Sequence, residues 1–194
     1  MRIIAGRYRS RVLDAPPGLN TRPTSDRLRE TLFNVLAPRI EGAAFADLYS
    51  GSGAVGIEAL SRGAAHVAFV ERAPAALKAL RGNLERLGID SGFLIHAGSV
   101  GMFLKKAAGS HPKPGPQDVV FLDPPYDAMG EYEATLLFLG GTGSTLLAPG
   151  ALVIAEHRRK EPLEPRYGCL ERTRQLEQGD AVLSFYAAPL TDAR

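Results

Sequence analysis

Ala44-Phe45-Ala46-Asp47-Leu48-Tyr49-Ser50-Gly51-Ser52-Gly53-Ala54-Val55-Gly56 runs from an apolar stretch, through a turn of small residues, into a helical pattern. Residues 44–49 read as a buried strand and residues 50–53 as its exit turn. Residues 54–62 read as a helix that Gly63 stops, and residues 67–71 as a second strand. Strand, helix and strand in that order predict a right-handed crossover between two parallel strands. The alternation continues downstream. Leu77, Leu80, Leu84 and Leu87 form a helical stripe ending at Gly88. Residues 93–97 read as a strand, 100–107 as a short helix, 111–116 as a Pro-rich loop and 119–122 as a strand. A helix over 131–139, a strand over 151–156 and strand-like runs near 170–175 and 181–187 complete the pattern. Repeated strand–helix units predict an α/β fold with a mostly parallel sheet and helices on both faces.

Upstream of the alternation the pattern differs. Residues 2–5 and 11–13 can pair as a small hairpin around Gly6, and Ala15-Pro16-Pro17-Gly18 breaks it. Thr24 or Ser25 can cap a following helix, with Asp26 in its first turn. Leu28, Leu32, Val35 and Leu36 recur at helical spacing, and Pro38 ends the run. The expected organisation is an N-terminal extension over residues 1–40 and a main domain over 41–194.

The 194 residues suit one domain with a short appendage, and 45% hydrophobic with 23% charged residues is a globular balance. Cys169 is the single cysteine, which excludes an intrachain disulfide and a cysteine-based zinc site. His66, His96, His111 and His157 have no metal-ligand spacing. No apolar run approaches the roughly 20 residues that cross a bilayer, and the first residues lack a signal-peptide core. The expectation is a cytoplasmic protein with no metal and no membrane partner. Net charge is +2, but residues 1–40 carry +5 through Arg2, Arg7, Arg9, Arg11, Arg22, Arg27, Arg29 and Arg39. Such concentration fits either a polyanion contact, with Arg7, Arg9 and Arg11 foremost, or a solvated surface.

Ligands of parallel α/β sheets bind beyond the carboxyl ends of the strands. Those ends carry Asp47 and Tyr49, Glu71, Gly98 and Ser99, and residues 123–126. Gly51-x-Gly53-x-x-Gly56 opens a helix after a strand, where glycines admit a ligand to the backbone and the helix N-terminus adds positive charge. Glu71 stands 20 residues after Gly51, where a carboxylate can accept both hydroxyls of a ribose. This fits a nicotinamide dinucleotide and S-adenosylmethionine alike, and a tight turn without ligand shares the glycines. Asp47 favours the second. A carboxylate is repelled by a pyrophosphate and attracted by a methionyl ammonium. It can equally cap amides of the turn.

Asp123-Pro124-Pro125-Tyr126 closes the strand over 119–122. Two prolines stiffen the backbone and remove two N–H donors. The Pro124 carbonyl and the Asp123 carboxylate can then accept the two hydrogens of an amino group on a flat base that stacks on Tyr126. An aryl amine is a poor nucleophile because its lone pair is delocalised. Two acceptors favour a pyramidal nitrogen and free that pair. The residues by themselves leave adenine and guanine, DNA and RNA, open.

The whole pattern resembles the bacterial 16S ribosomal RNA guanine-N2 methyltransferases of the RsmD type. The likeness starts at Arg2-Ile3-Ile4-Ala5-Gly6 and runs through Thr21-Arg22-Pro23-Thr24-Ser25-Asp26-Arg27-Leu28-Arg29-Glu30-Thr31-Leu32-Phe33-Asn34. It continues from Asp47 to Ala64 and ends with residues 123–126. The resemblance implies a Rossmann-like class I S-adenosylmethionine-dependent methyltransferase fold, with an antiparallel C-terminal strand and an N-terminal hairpin–helix extension. It implies S-adenosyl-L-methionine as cofactor, S-adenosyl-L-homocysteine as product and 16S ribosomal RNA, free or within a 30S particle, as partner of a monomer. It places Asp123, Pro124 and Tyr126 in catalysis. Arg22, Thr24, Asp47, Tyr49, Gly51, Gly53, Glu71, Ser99 and Asp123 fall to the cofactor. Arg7, Arg9, Arg11, Arg22, Pro125 and Tyr126 fall to the RNA. Ser99 stands where the wider superfamily often has an acid or amide, and Arg72 where many relatives carry an acid.

Three other readings compete. A DNA adenine-N6 methyltransferase shares the tetrapeptide but usually carries a target-recognition region for which this chain has little room. A nicotinamide oxidoreductase accounts for the glycines and Glu71 but leaves residues 123–126 without a role. A non-catalytic RNA-binding module rests on the N-terminal arginines alone.

Overall fold

The Ser25 hydroxyl accepts the Leu28 N–H at 3.2 Å and starts α1 (Asp26–Leu36), with Asp26 in the first turn. Of the two expected caps it is the one described; the computed structural model describes residues 1–15, 25–109, 115–125 and 128–190. α1 buries Leu28, Leu32, Phe33 and Leu36, and Pro38 sits in the 3-10 turn Ala37–Arg39 that follows. Each such fully buried side chain contributes about 1.5–3 kcal/mol relative to exposure.

The chain divides into two compact units, Met1–Ser99 and Val100–Arg194. The first contains β1 (Ala44–Asp47), α2 (Ala54–Ser61), β2 (His66–Glu71), α3 (Pro74–Leu87) and β3 (Phe93–Ala97). β1 pairs with β2 and β2 with β3, all parallel, as the crossover pattern predicts. Gly88 ends α3 with a φ of +66°, where its N–H and that of Ile89 take up the last carbonyls of the helix. The predicted hairpin is present in minimal form. Arg2 and Val12 make one antiparallel bridge, Ile3 N–H donates to the Arg11 carbonyl at 3.0 Å and Leu13 N–H to that of Met1 at 3.0 Å.

The second unit contains α4 (Val100–Gly109), β4 (Gln117–Leu122), α5 (Met129–Gly140), β5 (Leu147–Arg158), β6 (Arg166–Tyr167), β7 (Leu170–Gln178) and β8 (Ala181–Ala187). β4 and β5 are parallel, whereas β8 runs antiparallel to β5 and to β7, and β6 antiparallel to β7. The C-terminal end is therefore an antiparallel meander. His157 is a core group of this unit. Its Nδ1–H donates to the Arg158 and Glu161 carbonyls, both at 3.0 Å, and the Ser184 hydroxyl donates to Nε2 at 2.8 Å. Burial pushes its pKa down. Among the described residues no helix is long and apolar enough to cross a membrane.

Candidate active site

The turn from Gly51 to Gly56 is held at three points by three side chains. Glu71 Oε2 accepts the Gly51 N–H at 2.8 Å, Asn83 Nδ2 donates to the Ser52 carbonyl at 2.9 Å and Asp47 Oδ2 accepts the Gly56 N–H at 2.9 Å. The three glycines serve different ends. A Cβ on Gly51 would meet nothing within 4 Å, so this is where the backbone is open to a ligand. Gly53 caps α2 at a φ of +86°, a left-handed conformation costly for other residues. At Gly56 a Cβ would stand 2.3 Å from the Phe69 ring, so this glycine lets α2 pack on β2. The sequence pattern offers all three glycines for ligand approach; open space singles out Gly51.

Asp47 ends β1 and is only 2% exposed. Burial pushes its carboxyl up to about 7; the Gly56 N–H opposes the rise and the Glu71 charge adds to it. Of the two roles open to Asp47, capping a turn amide is directly visible. Glu71, half-buried at the end of β2, also accepts the Arg72 N–H at 2.8 Å and the Ala73 N–H at 2.7 Å through Oε1. A carboxylate has about four lone-pair positions. With three taken by amides, a ribose diol has to share or replace the Gly51 bond. The open face of Gly51 and the acid beside it fit a nucleoside, and the helix N-terminus fits the carboxylate of a methionyl tail. Tyr49 and Ser99 are half-buried at the ends of β1 and β3.

In the second unit, β4 buries Val119, Val120, Phe121 and Leu122 and delivers Asp123, half-buried, Pro124, buried, and Pro125, exposed. The Pro125 carbonyl accepts the Ala128 N–H at 2.9 Å, just before α5. Tyr126, Arg22 and Thr24, together with Pro23, lie outside the described residues.

The N-terminal arm is fixed to α2. Glu58, fully buried, accepts the Ile4 N–H at 2.8 Å, the Ala5 N–H at 3.0 Å and Arg62 Nε at 2.7 Å. Ser61 donates its hydroxyl to the Ala5 carbonyl at 2.6 Å and accepts the Tyr8 N–H at 3.0 Å. Gly6 lies so close that a Cβ there would stand 1.8 Å from the Ser61 carbonyl oxygen. This clamp leaves Arg7, Arg9 and Arg11 exposed on the loop, with the Arg7 guanidinium 5.3 Å from the Tyr8 ring centre. Arg29 corrects the charge reading. It is fully buried, 3.0 Å from Asp26 and donating to the Arg2 carbonyl, and is not available to a polyanion. Glu58 and Asn83 were not among the expected site residues. Their signal is a polar residue inside an apolar helical stripe: Glu58 between Ile57 and Ala59, Asn83 between Leu80 and Leu84.

The family model described as Conserved hypothetical protein 95 matches residues 1–187. Ribosomal RNA small subunit methyltransferase D of Escherichia coli (strain K12) is 38% identical over 156 residues, 80% of this chain and 74% of that protein. The solved structure of yhhF from Escherichia coli is 35% identical, with a TM-score of 0.83 over 98% of this chain and 99% of that one. An RNA methyltransferase from Salinibacter ruber in complex with S-adenosyl-L-homocysteine shares the fold at 20% identity, with a TM-score of 0.62 over 86% and 94% of the two chains. The architecture is that of the Rossmann-like S-adenosylmethionine-dependent methyltransferases. The chain belongs to the RsmD family of ribosomal RNA small subunit methyltransferases, the one described as Conserved hypothetical protein 95.

Proposed function

We propose that this chain transfers a methyl group from S-adenosyl-L-methionine to the exocyclic N2 amino group of a guanine in 16S ribosomal RNA. The carrying observation is Asp123-Pro124-Pro125 at the exit of the buried strand β4, with Tyr126 next in sequence, in a chain whose Escherichia coli relative is named as a small-subunit ribosomal RNA methyltransferase. The cofactor supplies an electrophilic methyl group. Asp47, Tyr49, Gly51, Gly53, Glu71 and Ser99 hold it in this reading, with Arg22, Thr24 and Asp123 taken from the family resemblance. The Asp123 carboxylate and the Pro124 carbonyl accept the two amino hydrogens, which frees the nitrogen lone pair, while Tyr126 stacks on the base. Catalysis is then mainly orientation and electrostatics. Residues 1–40 serve as the RNA-contacting extension of the domain over 41–194. Arg7, Arg9, Arg11 and Arg22 meet phosphates, and Pro125 lines the base. The protein acts as a cytoplasmic monomer on free 16S RNA or on a 30S particle.

The test is methyl transfer to small-subunit particles, to free 16S RNA and to duplex DNA, followed by mass spectrometry of the nucleosides. N2-methylguanine in RNA is the expected product. Label confined to DNA, or found on adenine, overturns the reading. Asp123→Ala is expected to abolish transfer while weakening S-adenosylhomocysteine binding only by the one contact that Asp123 contributes. Unchanged turnover removes Asp123 from the chemistry.

A further inference from the structure

Asn83 on α3 is fully buried, and its amide is saturated. Nδ2 donates to the Ser52 carbonyl at 2.9 Å and to the Asp14 carbonyl at 3.1 Å, while Oδ1 accepts the Asp14 N–H at 2.9 Å and an Arg86 N–H. An amide has two donors and two acceptor positions, so none is left over. One side chain thus touches the cofactor turn and the far end of the N-terminal arm.

The Ser52 carbonyl and the Gly53 N–H belong to one peptide plane and point in opposite directions. Asn83 holds the carbonyl, and the Ser50 carbonyl accepts the N–H at 2.7 Å. Gly51 and Gly53 flank Ser52 with φ of +54° and +86°. Turning that plane changes ψ of Ser52 and φ of Gly53, and glycine at the second position offers little steric resistance. The hydrogen bonds at its two ends therefore select its orientation, and the one at the carbonyl end comes from a side chain that also pairs with Asp14.

We infer that Asn83 is a positioning residue for methyl transfer, setting the cofactor turn and anchoring the arm with one amide. This rests on the proposed binding of S-adenosylmethionine at the Gly51 turn. Asn83 touches no substrate atom itself. It acts through the Ser52–Gly53 peptide.

Asn83→Asp keeps the shape and the Oδ1 acceptor but deletes both donors and turns an oxygen on two carbonyls. KM for S-adenosylmethionine and Kd for S-adenosylhomocysteine are expected to rise about tenfold or more, as when a buried carbonyl loses its donor. The kcat at saturating cofactor stays within about twofold. Hydrogen exchange at the Gly53 amide is faster. A purely structural role would lower the folded fraction, and with it apparent kcat, leaving KM unchanged. Asn83→Ser, uncharged and too short to span to Ser52, gives the same split and covers the case in which the Asp variant does not fold. KM and Kd unchanged in a folded variant, or a loss confined to kcat, overturns the inference. Wild-type protein that fails to bind S-adenosylhomocysteine overturns instead the cofactor reading beneath it.

Discussion

Arg29 on α1 and Glu58 on α2 are both fully buried, with Nε of the first 3.8 Å from Oε2 of the second. The same carboxylate takes two backbone N–H groups of the arm, so a charge pair and the arm's attachment share one group. Replacing Glu58 by Gln leaves the half-buried Arg62 without its carboxylate, leaves Arg29 with Asp26 alone and turns an N–H₂ toward backbone donors. The expected loss of unfolding free energy is about 3–5 kcal/mol, the cost of breaking a buried ion pair from one side. Urea denaturation measures it. A loss under about 1 kcal/mol would show that water replaces the carboxylate.

Asp47 gives the protein a pH dependence of known sign. Its carboxyl stands at 3.8 when unperturbed and at about 7 in the fold. Across that window the folded chain holds a proton that the unfolded chain has released. The contribution to stability is full below the lower value, declines as pH rises through the window and is flat above it. Binding of a cationic methionyl ammonium favours the ionised form. S-adenosylmethionine affinity therefore rises as pH climbs toward about 7. Asp47→Asn is expected to remove both slopes. Calorimetric titration and thermal melts across the window check them together.

Neutralising Arg7, Arg9 and Arg11 to Gln is expected to weaken RNA binding most at low salt. The slope of log affinity against log salt should fall by up to about 2, at roughly 0.7 per lost phosphate contact on single strands. S-adenosylhomocysteine binding should not change. Filter binding across a salt series decides it, and an unaltered slope would mark these arginines as surface only.

Gly51→Ala and Gly56→Ala should part company. At position 56 the new methyl meets the Phe69 ring, and overpacking of this kind costs about 1–3 kcal/mol of stability. At position 51 the methyl finds open space and a φ of +54°, a cost of about 1–2 kcal/mol, but it occupies the face left to the cofactor. Melting temperature should fall in both variants, and cofactor affinity mainly in the first.

Much of the fold is readable because the hydrophobic period changes abruptly at Gly53, Gly63 and Gly88. β3 and β8 have the bounds that their patterns predict. β5 begins at Leu147, earlier than the expected 151, because Pro149 and Gly150 read as breakers. β6 is two residues long, too short to show a period. At the site, residue types name Asp47 and Glu71, but which amides they hold depends on neighbours that periodicity does not reveal. Arg29 looks like one more surface charge in an arginine-rich stretch. Only the fold brings Glu58 beside it. Asn83 is hidden for the same reason, since an amide on an apolar stripe does not declare its partners.

The arm is not a detachable tag. Its sockets, Glu58, Ser61 and Asn83, lie on α2 and α3, 53 to 69 residues further along the chain. A chimera that exchanges residues 1–15 between relatives must transplant those three positions as well, and leave room for the Gly6 backbone against Ser61. One that moves the arm alone would carry its arginines on a strap with nothing to buckle it to.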